Sequence, residues 1–137
     1  MCAKARVDRE LALAREIQAG HVPDKPPQVP GLDLAFVSDP CFETAGDYHD
    51  VFPGEDGTWY LAVADVSGKG MSASLVAASL DALLMGPIEV GHPTDAICAR
   101  VGRRLNARTP PERYATAIIA SLDPKTGVLS YTNAGHN

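Results

Sequence analysis

Two aspartates stand where a packing argument explains them poorly. Asp65 ends WYLAVAD at 59–65, the most apolar strand candidate in the 137-residue chain, where an uncompensated carboxylate is costly to bury. Asp47 begins the preceding strand candidate, which runs to about Phe52. Between them GEDG at 54–57 reads as a turn with glycine at both ends, so 47–65 is expected to be an antiparallel hairpin. Its open end then brings Asp47 and Asp65 together within a residue or two of register. Like charges repel there, and a divalent cation between them relieves the repulsion. Hard oxygen donors without a His or Cys cluster suit magnesium or manganese rather than zinc. The same spacing also admits a simpler role, with Asp65 capping the turn at 66–70 and Asp47 at a loop edge. Asp50, by period two, points to the face opposite Asp47 and is expected in solvent.

Other candidate chemistry is thinner. Gly68-x-Gly70-x-x-Ala73 follows a strand and opens a helix, as a dinucleotide fingerprint does, with Glu89 about twenty residues on. Asp65 would repel a pyrophosphate there, and the preceding hairpin is not a βαβ unit. A P-loop fails because Val63 stands at the position of its first glycine and Gly70 follows Lys69. Ser67 lacks a G-x-S-x-G frame, Lys69 reads as a solvated turn lysine, and His21, His49, His92 and His136 show no metal-ligand spacing.

The elements that must position these residues follow from periodicity. Val7, Leu11, Ala14, Ile17 and His21 line one face of a leader helix over 7–21, suited to docking or self-association. HVPDKPPQVPG at 21–31 cannot continue it, because Pro23, Pro26, Pro27 and Pro30 intervene. LDLAFVS at 32–38 alternates as a strand, and helices are expected over 71–86 and 95–108. The first carries Val76, Leu80, Leu83 and Leu84. The second has Thr94 as N-cap and Ile97, Val101 and Leu105 inside. Strands at 114–123 and 128–133 flank the turn DPKTG. The order α-β-β-β-α-α-β-β describes an α+β fold with helices on a sheet.

Composition fits one ordinary globular domain, with 45% apolar and 21% charged residues. Twelve Lys and Arg against seventeen Asp and Glu give a net charge of −5 and a pI near 5.2, which argues against nucleic acid or an anionic membrane as partner and favours a cation. No apolar run approaches the ~20 residues of a membrane span, and the N-terminus lacks a signal-peptide h-region. Cys2, Cys41 and Cys98 are odd in number and without a CxxC pair, pointing to unreactive thiols in a reducing cytoplasm.

Taken in order, LAREIQAGHVPDKPPQVPGLDLAF, AGDYHDVF, DVSGKGMSASLVAASL, YATAIIASLD and SYTNAGHN resemble the SpoIIE/RsbU-like bacterial branch of the metal-dependent, protein phosphatase 2C-like Ser/Thr phosphatases, from about Leu13 to Asn137. The resemblance implies the N-terminal part of an αββα sandwich with antiparallel sheets, truncated after N-A-G-H-N. It implies a leader helix at 1–22 that regulates or dimerises, a Pro-rich linker at 23–31, and the catalytic portion at 32–137. Two Mn or Mg ions are implied, with Asp47 a ligand, Asp65 bridging both, and the Val66 backbone carbonyl contributing; the two aspartates would thus be the catalytic residues. Metal-activated hydroxide would hydrolyse phosphoserine or phosphothreonine on a regulatory protein of the anti-sigma-factor-antagonist type. An upstream sensor acting through the leader helix and a homodimer are further implied partners. Ala45 and His49 depart from the usual G-G-D-[YF]-x-D pattern without removing a ligand. At least two further family aspartates are expected beyond Asn137, so this stretch alone is expected to bind metal weakly. The competing expectation is a non-catalytic phosphatase-like interaction module or an inactive fragment.

Overall fold

The computed structural model describes residues 2–20, 22–37 and 46–137. Helix α1 spans Cys2–Ala19, strand β1 Asp47–Pro53, β2 Trp59–Val66, α2 Met71–Glu89, α3 Thr94–Asn106, β3 Ala115–Asp123 and β4 Val128–Ala134; one 3-10 turn, Glu55–Gly57, lies between β1 and β2. The four strands pair antiparallel in the order β1-β2-β3-β4. This is the α+β arrangement expected from the sequence, with one sheet and its helix layer. The antiparallel order removes the dinucleotide alternative, which needs parallel strands around its phosphate loop.

Period two divides the sheet into two faces. Tyr48, Phe52, Tyr60, Ala62, Ala64, Val66 and Ile119 turn toward the helices and form the core with them. Helix α2 lies over β1 and β2, and α3 over β3 and β4. Small residues set the depth of the first contact: Ala73, Ser74 and Ala77 are buried on the same helix as Leu80, Leu84 and Ile88. The Ser74 hydroxyl is satisfied by donating to the Gly70 carbonyl at 3.2 Å. Burial of each large aliphatic side chain contributes roughly 1.5–3 kcal/mol. On α3 the inner stripe is Ile97, Val101 and Leu105, as the spacing predicts.

Several boundaries differ from expectation for identifiable reasons. Helix α2 continues through Pro87 to Glu89 instead of stopping at 86. Pro87 is buried in the core face, so its packing outweighs the backbone bond it cannot donate. The resulting α2 is long and apolar enough to cross a membrane, contrary to the sequence expectation, yet its buried residues pack on the sheet and Asp81 lies within it. Thr94 is not an N-cap; that position falls to Pro93, and the buried Thr94 hydroxyl pairs with Thr132 Oγ1 on β4 at 2.9 Å.

Residues 32–37 keep the alternation of a strand, with Leu32, Leu34 and Phe36 half-buried, but they pair with no strand among the described residues. Their contact with the sheet runs through side chains, Phe36 meeting His49 edge-on at 4.6 Å between ring centres. The Pro-rich stretch packs too: Val29 is buried and Val22 rests against the core. Helix α1 starts earlier than expected, and Val7, Leu11 and Ile17 of its apolar stripe remain exposed. His21, Ser38, Cys41 and Ala45 lie outside the described residues.

Candidate metal centre

The β1–β2 connection is tight. Gly54 N–H donates to the Thr58 carbonyl at 2.7 Å and Thr58 N–H to the Glu55 carbonyl at 3.1 Å. Gly57 takes a φ of +80°, a conformation L side chains resist. That turn fixes seven register pairs, of which the last is Asp47 opposite Asp65. Directly opposed residues have Cα atoms about 4.5–5.5 Å apart and side chains on one face. Both carboxylates lie at the open end of the hairpin, as the spacing predicts, but both are exposed, so Asp65 bears no burial cost at the end of its apolar strand.

Gly46 extends this end by one pair, its carbonyl accepting from Val66 N–H at 3.0 Å. A Cβ on Gly46 would overlap the Val66 carbonyl oxygen. Its missing side chain therefore permits this close approach to Val66, which is itself buried, 1% exposed. Asp47 and Asp65 make an all-oxygen donor pair on an open face, which fits Mg or Mn completed by water, whereas the Val66 carbonyl expected beside them belongs to a buried residue. Among the described residues no third His, Cys, Asp or Glu joins the pair in a metal-binding group.

The turn after β2 is latched to the residues before β3. Ser67 N–H donates to the Tyr114 carbonyl at 2.8 Å, while Tyr114 N–H donates to Ser67 Oγ at 2.9 Å. Arg113 Nη1 donates to the Ser67 carbonyl at 3.1 Å, and its guanidinium fills the space a Cβ on Gly68 would need. Ser67 is therefore a fastener and not a nucleophile. Lys69 is exposed.

The face behind Asp47 holds a polar cluster. Tyr48 is buried and its hydroxyl donates to Asp81 Oδ1 at 2.7 Å; burial and then Asp81 push the phenol well above its usual range. Asp50 does point away from Asp47, but the expected solvation is wrong. It is half-buried, and burial raises its carboxyl above the ordinary value, against the hydrogen bond it accepts from Val51 N–H at 2.7 Å. Cys98 is half-buried with its thiol pushed up by burial, which fits an unreactive role.

On the open face a cavity of about 390 Å³ borders the carboxylate pair, lined by residues 35–37 together with Asp47, Tyr48, His49, Val63, Ala64 and His136. Thr116 is the register partner of Asp65 on β3, and its Oγ1 lies 3.0 Å from His136 Nδ1. Asn133 pins the same turn, accepting from His136 N–H at 2.8 Å and donating to its carbonyl at 2.9 Å. Spacing could not find Thr116 and His136, because only the β2–β3 register brings them beside Asp65. Their one signal was membership of the YATAIIASLD and SYTNAGHN segments. His92 is elsewhere, its carbonyl accepting from the Tyr60 hydroxyl at 3.0 Å. A larger cavity of about 610 Å³ follows the Pro-rich segment and is lined by neither Asp47 nor Asp65.

Comparison with known proteins identifies the family. The family model described as Stage II sporulation protein E (SpoIIE) matches residues 55–137. Phosphoserine phosphatase RsbU of Bacillus subtilis (strain 168) is 25% identical over 130 residues, covering 95% of this chain and 38% of its own length. Phosphoserine phosphatase RsbP of the same organism is 26% identical over 137 residues, covering 97% of this chain and 34% of its own. A crystal structure of the RsbU and RsbW domains of Rv1364c from Mycobacterium tuberculosis superposes with a TM-score of 0.71 at 30% identity, covering 85% of this chain and 33% of that one. The chain spans about a third of the length of these relatives.

Proposed function

The chain belongs to the SpoIIE family, and on that premise we propose that it carries the first part of a metal-dependent phosphatase centre acting on phosphoserine or phosphothreonine in a regulatory protein. Two relatives are named phosphoserine phosphatases, which supports the phosphatase reading at its coarse level. The observation that carries the finer reading is the in-register opposition of Asp47 and Asp65 beside the Val66 carbonyl. Such a pair is unfavourable by itself and favourable around a divalent cation.

In this reading Asp47 and Asp65 hold Mg or Mn from two strands of one hairpin, so the distance between them is set by the ladder. Gly46 lets its strand approach Val66 closely, and the Ser67–Tyr114 and Arg113 contacts keep the turn beyond it from drifting. When bound, divalent ions of this kind activate water as a nucleophile and neutralise phosphoryl charge. Strands supply the rigidity this chemistry requires, and the exposed face supplies access for a protein substrate.

The solved relative joins an RsbU domain to an RsbW domain. This supports a substrate of the anti-sigma-factor-antagonist type, with α1 as the surface through which a sensor or second copy acts. The test is manganese-dependent release of phosphate from a phosphoserine protein by the protein that contains this chain, with Asp47→Asn and Asp65→Asn alongside. Loss of turnover in both variants with the fold retained is expected. Manganese-independent turnover, or turnover unchanged by both variants, overturns the reading, and complete inactivity of the unmodified protein favours the non-catalytic interaction module.

A further inference from the structure

The outer surface of the helix layer carries charge that the metal centre does not use. Helix α3 places Arg100, Arg103 and Arg104 at i, i+3 and i+4, on one side of the helix, and all three are exposed. None of them forms a hydrogen bond or ion pair among the described residues. Helix α1 shows the contrasting arrangement, in which Arg6 meets Glu10 one turn away at 3.3 Å. Like charges one turn apart destabilise a helix. The helix dipole compensates Arg103 and Arg104 in the last turn, but it does not extend to Arg100. Three unneutralised cations on one helix side also stand out in a chain of net charge −5.

Between these arginines and α2 lies a groove of about 210 Å³. Ala82, Leu83, Gly86 and Val101 belong to its apolar lining, Arg100 and Arg104 flank it, and no carboxylate lines it. The space above Gly86 is open, since a Cβ there would meet nothing. The volume falls below the roughly 300–1,000 Å³ of small-molecule pockets and suits one or two aliphatic side chains. Helices form the outer layers of an αββα sandwich, so this surface stays outside whatever covers the open sheet face.

We propose that the α2–α3 groove docks an acidic amphipathic helix of a protein partner, an apolar side chain entering beside Leu83 and Val101 and two carboxylates pairing with Arg100 and Arg104. Charge complementarity selects this occupant. Arg100 and Arg104 are about 6 Å apart along the helix axis, the spacing of glutamates at i and i+4 on a facing helix. The apolar lining offers nothing to a phosphodiester backbone. Helix α3 covers β3 and β4 from the side of the sheet opposite Asp47 and Asp65, so the partner leaves the carboxylate pair free. The inference is independent of the metal reading.

The experiment is fluorescence anisotropy of a labelled helical peptide, with leucines between glutamates at i and i+4, titrated with the protein that contains this chain. The comparisons are the same peptide with glutamine for each glutamate, duplex DNA and phosphatidylglycerol vesicles. The glutamate peptide should bind saturably and more weakly as salt rises, and the glutamine peptide should not bind. Arg100→Gln and Arg104→Gln should each weaken binding roughly two- to fivefold, the scale of an exposed ion pair. Gly86→Leu should weaken it by filling the groove. Arg9→Gln makes the same charge change on α1 and should leave it unaltered. Circular dichroism checks that each variant is folded. Failure of the glutamate peptide to bind overturns the proposal, as does equal loss in Arg9→Gln and Arg100→Gln. Binding that survives Gly86→Leu unchanged, or tighter binding of DNA or vesicles than of the peptide, overturns it as well.

Discussion

Asp47 stands directly opposite Asp65 across the β1–β2 ladder, so two like charges face each other on an exposed sheet surface. An opposed like-charge pair of this kind costs roughly 0.2–1 kcal/mol. Asp65→Asn should therefore raise the melting temperature in EDTA. Manganese should raise that of the unsubstituted chain by mass action and leave the variant unmoved. Equal manganese shifts in both proteins, read by thermal denaturation, would place the cation somewhere else.

Gly46→Ala tests the close strand approach beside the pair. The added methyl meets the Val66 carbonyl oxygen, which is backbone and cannot swing aside. Overpacking of this sort costs roughly 1–3 kcal/mol. Manganese affinity should fall together with stability, whereas Gly102→Ala, where an added Cβ meets nothing, should retain the affinity. Calorimetric titration of manganese into both variants checks this.

The hairpin and its aspartates were legible because their evidence is local. A glycine turn fixes loop length, and period two then fixes which residues oppose. The inner stripe of α3 was legible for the same reason. Residues 32–37 misled because alternation reports burial on one side and not a ladder partner; Phe36 is half-buried and meets His49 through its ring rather than by pairing. Thr94 misled because its hydroxyl has a tertiary partner, Thr132, that competes with capping. Pro87 stayed helical because the core covers it. Thr116 and His136 were invisible as site residues, since they reach Asp65 only through pairing across the sheet.

Asp50 provides a pH signature. Burial lifts its folded carboxyl above the ordinary 3.8, so the folded chain holds that proton more tightly than the unfolded one. The associated stability is fully present below the ordinary value and is lost as pH rises through the folded value. At neutral pH the charged, half-buried Asp50 is a small liability. Asp50→Asn should melt higher than the unsubstituted chain at pH 7, and the gain should vanish in acid below the ordinary value. A gain that is the same at both pH values would show that burial of the charge is not its source.

Thr94 and Thr132 join the helix layer to the edge strand through one hydroxyl pair at 2.9 Å. Thr94 is buried, 7% exposed, so either hydroxyl left alone bears the desolvation penalty without its bond. Thr94→Val and Thr132→Val should each cost about 1–3 kcal/mol, and the double variant less than their sum, because neither hydroxyl then remains unpaired. Chemical denaturation of the four proteins measures that coupling. Thr132 precedes Asn133, which pins the turn carrying His136, so the consequence extends to the cavity. If α3 holds β4 in place through this pair, the single variants should also loosen His136 from Thr116, seen as faster exchange at the His136 backbone amide. Strict additivity with unchanged exchange would show that β4 is held by its ladder to β3 alone.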